Sequence, residues 1–244
     1  MKTNKNTILV TGGGSGIGLE IAKLFSKENH IIITGRSEER LLKAAAGLQN
    51  VSVIPFDITN EEDVKRLVEK VITDFPNLNV LINNAGKGSV YDIVEPNVNA
   101  YQRAYDEIDT NFLSVVRLTE KLLPLLVKQD SSAIVNVTSV VAFVPSKGIA
   151  TYSSSKAALH SYTESLRLAL AETPVKVFEL MPPLVNTEFS KEIGGENGIA
   201  PEEVALQLYQ AFENETYEIR VGDTAEIYKL YFASREDALT AMNS

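Results

Sequence analysis

Short apolar runs alternate with amphipathic stretches along most of the chain. Runs rich in β-branched residues at Thr7–Val10, Ile31–Thr34, Val51–Phe56, Val80–Ile82, Ala133–Val137 and Val175–Leu180 predict six strands. Between the first two, Ile17, Ile21, Leu24 and Phe25 recur at helical spacing; before Val80, Val64, Leu67, Val68, Val71 and Ile72 do the same. The tetrad Thr59-Asn60-Glu61-Glu62 reads as a capping box that opens this second helix. Runs so uniformly apolar suit strands covered on both faces, and strand–helix alternation suits a parallel sheet. The pattern therefore predicts an α/β fold, doubly wound, with a mostly parallel sheet and helices on both faces.

No repeat, low-complexity tract or linker divides the chain, so one domain over residues 1–244 is expected. Gly194, Gly195 and Gly198 follow the sixth strand closely, and residues 183–200 are read as a mobile loop. Past it, Tyr217–Gly222 and a helix-like segment with Ile227, Leu230 and Tyr231 complete the chain.

Composition narrows the chemistry. With 23 Lys+Arg against 32 Asp+Glu the net charge is −9, and the basic residues are scattered, which argues against nucleic acid as a partner. The absence of cysteine excludes disulfides, thiolate catalysis and Cys-ligated zinc. His30 and His160, the only histidines, lie far apart, so no metal site is expected. The polar start Met1–Asn6 leads into too few apolar residues for a signal peptide, and no run approaches membrane-spanning length. Leu122–Leu126 reads as a buried helix end rather than a membrane contact. A cytoplasmic protein with no membrane partner is expected.

Directly after the first strand comes Thr11-Gly12-Gly13-Gly14-Ser15-Gly16-Ile17-Gly18, opening a helix. Glycines allow a tight turn and close approach of a pyrophosphate, with the helix amino terminus facing the anion. At this position in a doubly wound domain the loop predicts dinucleotide binding in a Rossmann arrangement. An acidic residue ending the second strand would bond the adenosine 2′-hydroxyl, whereas arginine favours a 2′-phosphate. Here the strand ends Thr34-Gly35-Arg36-Ser37, with no carboxylate before Glu38, which favours NADP(H) over NAD(H).

Tyr152 and Lys156 lie four apart in a stretch, Tyr152–Glu172, that reads as helix, so phenol and ammonium share a face. A tyrosine with a pKa near 10 is too weak an acid for neutral-pH work, and a fixed cation beside it lowers that value. The pair can give a proton to a carbonyl oxygen or take one from an alcohol. His160, one turn further on, reads as a packed or partly exposed helix residue rather than a catalytic one.

In this company the chain resembles the short-chain dehydrogenase/reductase family from about Asn6 to about Thr187. The Gly12/Gly16/Gly18 loop matches the family's cofactor loop, and Asn83-Asn84-Ala85-Gly86 matches a motif that stabilises the sheet beside the cofactor. Asp57 matches the residue that contacts adenine. Asn111, Ser139, Tyr152 and Lys156 match the catalytic tetrad. The resemblance implies that Tyr152 is the general acid/base, that Lys156 lowers its pKa and holds the nicotinamide ribose, that Ser139 bonds the substrate oxygen, and that Asn111 holds a water linked to Lys156. By the same resemblance Gly12, Ser15, Gly16, Ile17, Gly18, Arg36, Ser37, Asp57, Ile58, Asn84, Ala85, Gly86, Tyr152, Lys156, Pro182, Val185 and Thr187 are expected to contact the cofactor.

Where the family usually has Pro-Gly after the sixth strand, this chain has Pro182-Pro183, and it lacks the usual Gly-rich final strand. Met181-Pro182-Pro183, Asn77-Leu78-Asn79 and Lys156–His160 look most like the DltE-type oxidoreductases of bacteria. Val90, Val141, Phe143, Val144 and Phe189 suggest an apolar substrate pocket. The expected function is NADP(H)-dependent hydride transfer to or from a small carbonyl or alcohol. The alternatives are a non-catalytic dinucleotide sensor on the same fold, which tends to lose the Tyr/Lys pair, and an extended-type epimerase, which needs a larger carboxy-terminal region. Segments Tyr101–Val127 and Tyr152–Glu172 match helices that pair across family dimers, so a homodimer or homotetramer is expected.

Overall fold

Alternation of side chains along the strands builds two separate cores. The computed structural model describes residues 1–244. Strands β1 (Thr7–Thr11), β2 (His30–Gly35), β3 (Val51–Pro55), β4 (Leu78–Asn83), β5 (Ser132–Val137), β6 (Val175–Met181) and β7 (Glu218–Arg220) form one parallel sheet in the order β3-β2-β1-β4-β5-β6-β7. Ile8, Val10, Ile31 and Ile33 face one core, covered by α1 (Gly16–Phe25), α2 (Glu38–Ala45) and α7 (Pro201–Asn214). Leu9, Ile32 and Leu81 face the other, covered by α3 (Glu61–Asp74), α5 (Ser114–Leu126) and α6 (Ala150–Ala169). The sheet is buried on both faces, as the uniformly apolar runs require. Leu122 and Leu126 belong to the second core.

Several local expectations are corrected. The N-cap of α3 is Asn60, not Thr59: its side chain accepts from Asp63 N at 3.0 Å, while the Asp63 carboxylate accepts from Asp57 N, so no reciprocal capping box forms. Thr59 turns back instead to donate to Asp57. Helix α6 starts at Ala150 and stops at Ala169, short of Glu172, because Pro174 disfavours helical backbone just before it. The segment from Tyr101 to Val127 is not one regular helix. A π turn, Asp109–Leu113, separates α4 (Ala100–Ile108) from α5.

Helix α7 has no counterpart in the expectations, although Pro201 at its first turn and Val204, Leu208, Ala211 and Phe212 at helical spacing signal it. The carboxy-terminal segment folds as α8 (Thr224–Ala233) and α9 (Arg235–Asn243). No helix is long and apolar enough to cross a membrane, and no cluster of side chains suits a metal ion.

The segment after β6 is better anchored than its glycines suggest. Val185 pairs with Ile199, and Asn186 N donates to Ile199 O at 2.8 Å. Between them, 3₁₀ turns at Glu188–Ile193 and Gly195–Asn197 close around buried Ser190, whose hydroxyl donates to the carbonyl of Val185. Polar anchoring of this kind leaves no hydrophobic signature in the sequence.

Candidate active site

Strand order reverses between β1 and β4, and the carboxyl ends of the strands open there into a cleft of about 760 Å³. Its floor is the glycine loop. Gly12 and Gly16 have φ of +67° and +52°, and a Cβ on Gly12 would stand 3.0 Å from Asn84 Nδ2 and 3.1 Å from Ala85 Cα. Ser15 occupies the N-cap of α1 but makes no capping hydrogen bond, so the first-turn N–H groups of α1 remain available to an anion. Gly18 does not line the cleft; a Cβ there would come within 2.5 Å of Gly12 O, so its role is close packing of α1 on the loop. Asn84 ties the loop down by donating to Thr11 O at 2.9 Å, while Thr11 Oγ1 accepts from Asn84 N and Ala85 N.

At one end of the cleft Arg36, Ser37, Asp57 and Ile58 all line the wall. Asp57 is oriented by Thr59, which donates to its Oδ1 through N at 2.9 Å and Oγ1 at 2.7 Å. Arg40, unforeseen from sequence, joins Arg36 here because Ser37 caps α2 and places Arg40 in its first turn. Neither Glu38 nor Glu39 lines the cleft.

At the other end Tyr152 and Lys156 stand side by side, the ammonium 5.6 Å from the tyrosine ring centre. Lys156 is buried, and its Nζ donates to Val137 O at 2.7 Å. Burial pulls its pKa down to about 8. Burial also pushes the Tyr152 phenol well above its ordinary value, reinforced by the carboxylate of Glu107. Glu107, on α4, is fully buried with neither oxygen hydrogen-bonded. Both effects act against the lowering expected from Lys156, so the phenol keeps its proton at neutral pH.

The other two tetrad members sit behind the cleft wall. Asn111 lies on the π turn, fully buried. Its Oδ1 accepts from Lys87 N, and its Nδ2 donates to Lys87 O and Ser155 Oγ, all at 2.8 Å. Its side chain thus clamps the residue that follows Asn84-Ala85-Gly86. Ser139 ends the β5 crossover and caps a short 3₁₀ turn, Val140–Ala142, accepting from Val141 N at 3.3 Å and reaching Pro182 O at 3.5 Å. Both contacts are long, which leaves its O–H weakly engaged.

Pro182 and Thr187 line the cleft, whereas Val185 is buried behind them. Of the five apolar residues expected to wall a substrate pocket, only Phe189 lines the cleft. Its ring lies 5.7 Å from that of Tyr152 and closes against Gly88. Phe143 turns away to stack on His160 and Tyr228, and Val141 and Val144 are core residues. Lys87, also unforeseen, borders the cleft and pairs with Asp106 at 2.6 Å, holding that carboxyl below its usual range.

A switch-point cleft with a glycine cradle and an adjoining Tyr/Lys pair defines a dinucleotide-dependent oxidoreductase site. Residues 6–198 match the family model described as short chain dehydrogenase, and the chain belongs to the short-chain dehydrogenase/reductase family, as an oxidoreductase of the DltE type. It is 39% identical over 210 residues to an uncharacterized oxidoreductase, DltE, of Bacillus subtilis, covering 86% of this chain and 83% of that one. A short chain dehydrogenase from Burkholderia cenocepacia, solved in complex with NADP, superposes with a TM-score of 0.88 at 26% identity, over 99% of each chain. A family member from Burkholderia phymatum in complex with NAD, 20% identical, shares the fold with a TM-score of 0.86, over 100% of this chain and 97% of that one.

Proposed function

We propose that the chain is an NADP(H)-preferring reductase of small carbonyl compounds, or the reverse alcohol dehydrogenase, acting through Tyr152. The observation that carries this reading is the placement of the Tyr152 phenol in the cleft, 5.6 Å from the buried Lys156 ammonium. When bound, the nicotinamide supplies or accepts the hydride. The cradle fits such a group: the open first turn of α1 and the Gly12, Gly14 and Gly16 backbone that lines the cleft accommodate a pyrophosphate.

A neutral phenol is the form needed to protonate a carbonyl oxygen. As the proton leaves, the ammonium of Lys156 stabilises the phenolate. Ser139, next to cleft-lining Thr138 and with a loosely held hydroxyl, is in this reading the donor to the same oxygen as charge develops there. Asn111 holds the Lys87 backbone and thereby the cleft wall. The reading is tested by following oxidation of NADPH with a panel of aldehydes and ketones. Turnover of none of them, with the cofactor bound, would overturn it.

Two guanidiniums and no glutamate at the Asp57 end of the cleft support NADP(H). Arg36→Ala is expected to weaken NADPH by about 10- to 100-fold, the worth of a hydrogen bond to a charged group, and NADH little. Titration of both cofactors measures this, and equal losses would contradict it.

Residues 183–200 act in this reading as the substrate loop. Phe189 covers Tyr152, so a carbonyl must displace it to reach the phenol. Backbone hydrogen exchange over residues 188–198 is expected to slow when NADPH and a reducible carbonyl are both present. Protection already complete in the free protein would show that the loop does not open. Exposed Tyr101, Tyr105 and Leu168, on α4 and α6, support assembly into a dimer or tetramer.

A further inference from the structure

Beneath the active-site end of the sheet lies a buried acid–base pair to which the reaction above assigns no part. Glu179, on β6, is fully buried. Its carboxylate accepts from Thr138 Oγ1 at 2.7 Å and from His160 Nδ1 at 2.9 and 3.0 Å. The three partners come from the three elements that carry the site. Thr138 directly precedes Ser139 at the end of β5, His160 lies one turn beyond Lys156 on α6, and Glu179 stands three residues before Pro182. A carboxylate in this position is tolerable only if it is hydrogen-bonded and charge-balanced, and both conditions are met by residues adjoining the catalytic ones.

The imidazole is held on its other side by a column of rings. Phe143 packs on it at 4.6 Å, Tyr228 of α8 packs on Phe143 at 5.0 Å, and the Arg220 guanidinium covers Tyr228 at 3.7 Å. The charged groups facing His160 are Glu179 on β6, Glu164 on its own helix at 3.7 Å from Nε2, and Glu218 on β7, which is itself paired with Arg167 and Arg220. Burial pushes the imidazole pKa down, but the hydrogen bond and charge of Glu179, with Glu164 and Glu218, outweigh it and hold the pKa above the ordinary value.

We infer that Glu179 and His160 form a positioning pair for Ser139, fixing the Thr138–Ser139 backbone so that the serine hydroxyl faces the substrate oxygen. This rests on the carbonyl-oxidoreductase reading. The Ser139 hydroxyl makes contacts of only 3.3 and 3.5 Å, so its aim follows the backbone, which is held by Thr138 N on Leu180 O, Ala142 N on Ser139 O and the Thr138 side chain on Glu179. Glu179 and His160 do not line the cleft, so loosening them costs catalysis rather than cofactor binding; Thr138 does line it, which makes Glu179→Gln the cleaner variant.

The test compares full-length Glu179→Gln, Thr138→Val and the rescue variant Thr138→Ser with the parent chain. Expected in Glu179→Gln are unchanged NADPH affinity and KM with kcat lowered about tenfold or more; Thr138→Val is expected to lower kcat similarly and Thr138→Ser to restore it, whereas complete loss of an oxyanion donor costs about 10²–10³-fold. The parent kcat is expected to fall as pH rises through the His160 pKa, and that fall to move to lower pH in Glu179→Gln. Parent-like kcat and pH profile in both Glu179→Gln and Thr138→Val would overturn the inference. His160 is also read directly by NMR, since His30, bonded to Ser52, is the only other histidine. If the parent turns over no carbonyl, the reaction reading fails by itself, and the pair is judged on that titration. A His160 pKa that Glu179→Gln leaves unmoved would overturn it.

Discussion

Tyr152→Phe is expected to lower carbonyl turnover by about 10²–10⁴-fold, the usual contribution of a positioned proton donor, or roughly 3–5 kcal/mol of barrier. Tyr152 lines the cleft; Ser155 Oγ donates to its backbone carbonyl, and its hydroxyl makes no hydrogen bond within the chain. Removing it therefore breaks no structural bond, and the phenyl ring still fills the space against Phe189. Melting temperature and NADPH affinity should match the parent. Single-turnover measurement of NADPH oxidation separates the chemical step from binding. Turnover within a few-fold of the parent would show that another group supplies the proton.

Lys156→Met is expected to do two opposite things: turnover falls by about 10²-fold or more, while the folded state gains stability at neutral pH. The lysine is buried, and its pKa in the fold stands at about 8, against an ordinary value of 10.5. Below pH 8 both folded and unfolded chains carry the proton, and the fold bears the whole cost of burying it. Between about pH 8 and 10.5 the unfolded chain binds more protons than the folded one, so the parent's stability rises with pH. Above that range the difference vanishes.

At one pKa unit per 1.36 kcal/mol the cost is roughly 3 kcal/mol, and losing the bond to Val137 O returns about 1 kcal/mol of it. A net gain near ~2 kcal/mol raises the melting temperature of a chain this size by roughly 4–8 °C. Thermal unfolding of both proteins across this pH range checks the sign. A variant less stable than the parent at pH 7 would show that the ammonium is not buried at a cost.

Six of the seven strands were legible because each is a run of apolar residues in a sheet covered on both faces; β7, Glu218-Ile219-Arg220, carries a single apolar residue and left no such signal. The Tyr152/Lys156 pair was legible as a cleft feature because four-residue spacing on one helix puts both side chains on the same face. What escaped the sequence was polar. Asn60 rather than Thr59 caps α3 because the choice turns on one backbone torsion. Arg40 and Lys87 reach the cleft only through the turn geometry that precedes them. Ser190 anchors the loop by hydrogen bonds that no hydrophobic period announces. His160 reads as an unremarkable helix residue until β6 brings Glu179 against it, a contact 19 residues distant in the chain.

The π turn at Asp109–Leu113 gives one long rod two rotational phases. Each residue of a regular helix advances by about 100°, and a π turn inserts one residue, so the face buried before it is not the face buried after it. Ahead of the turn the rod buries Glu107; beyond it, Leu118, Leu122 and Leu126 point into the core behind the sheet. A regular helix through the same residues would have to reconcile both demands on a single stripe. With the offset, the polar half can be read out against Tyr152 and the apolar half against the sheet independently. Asn111, at the seam, is the residue whose direction the offset decides.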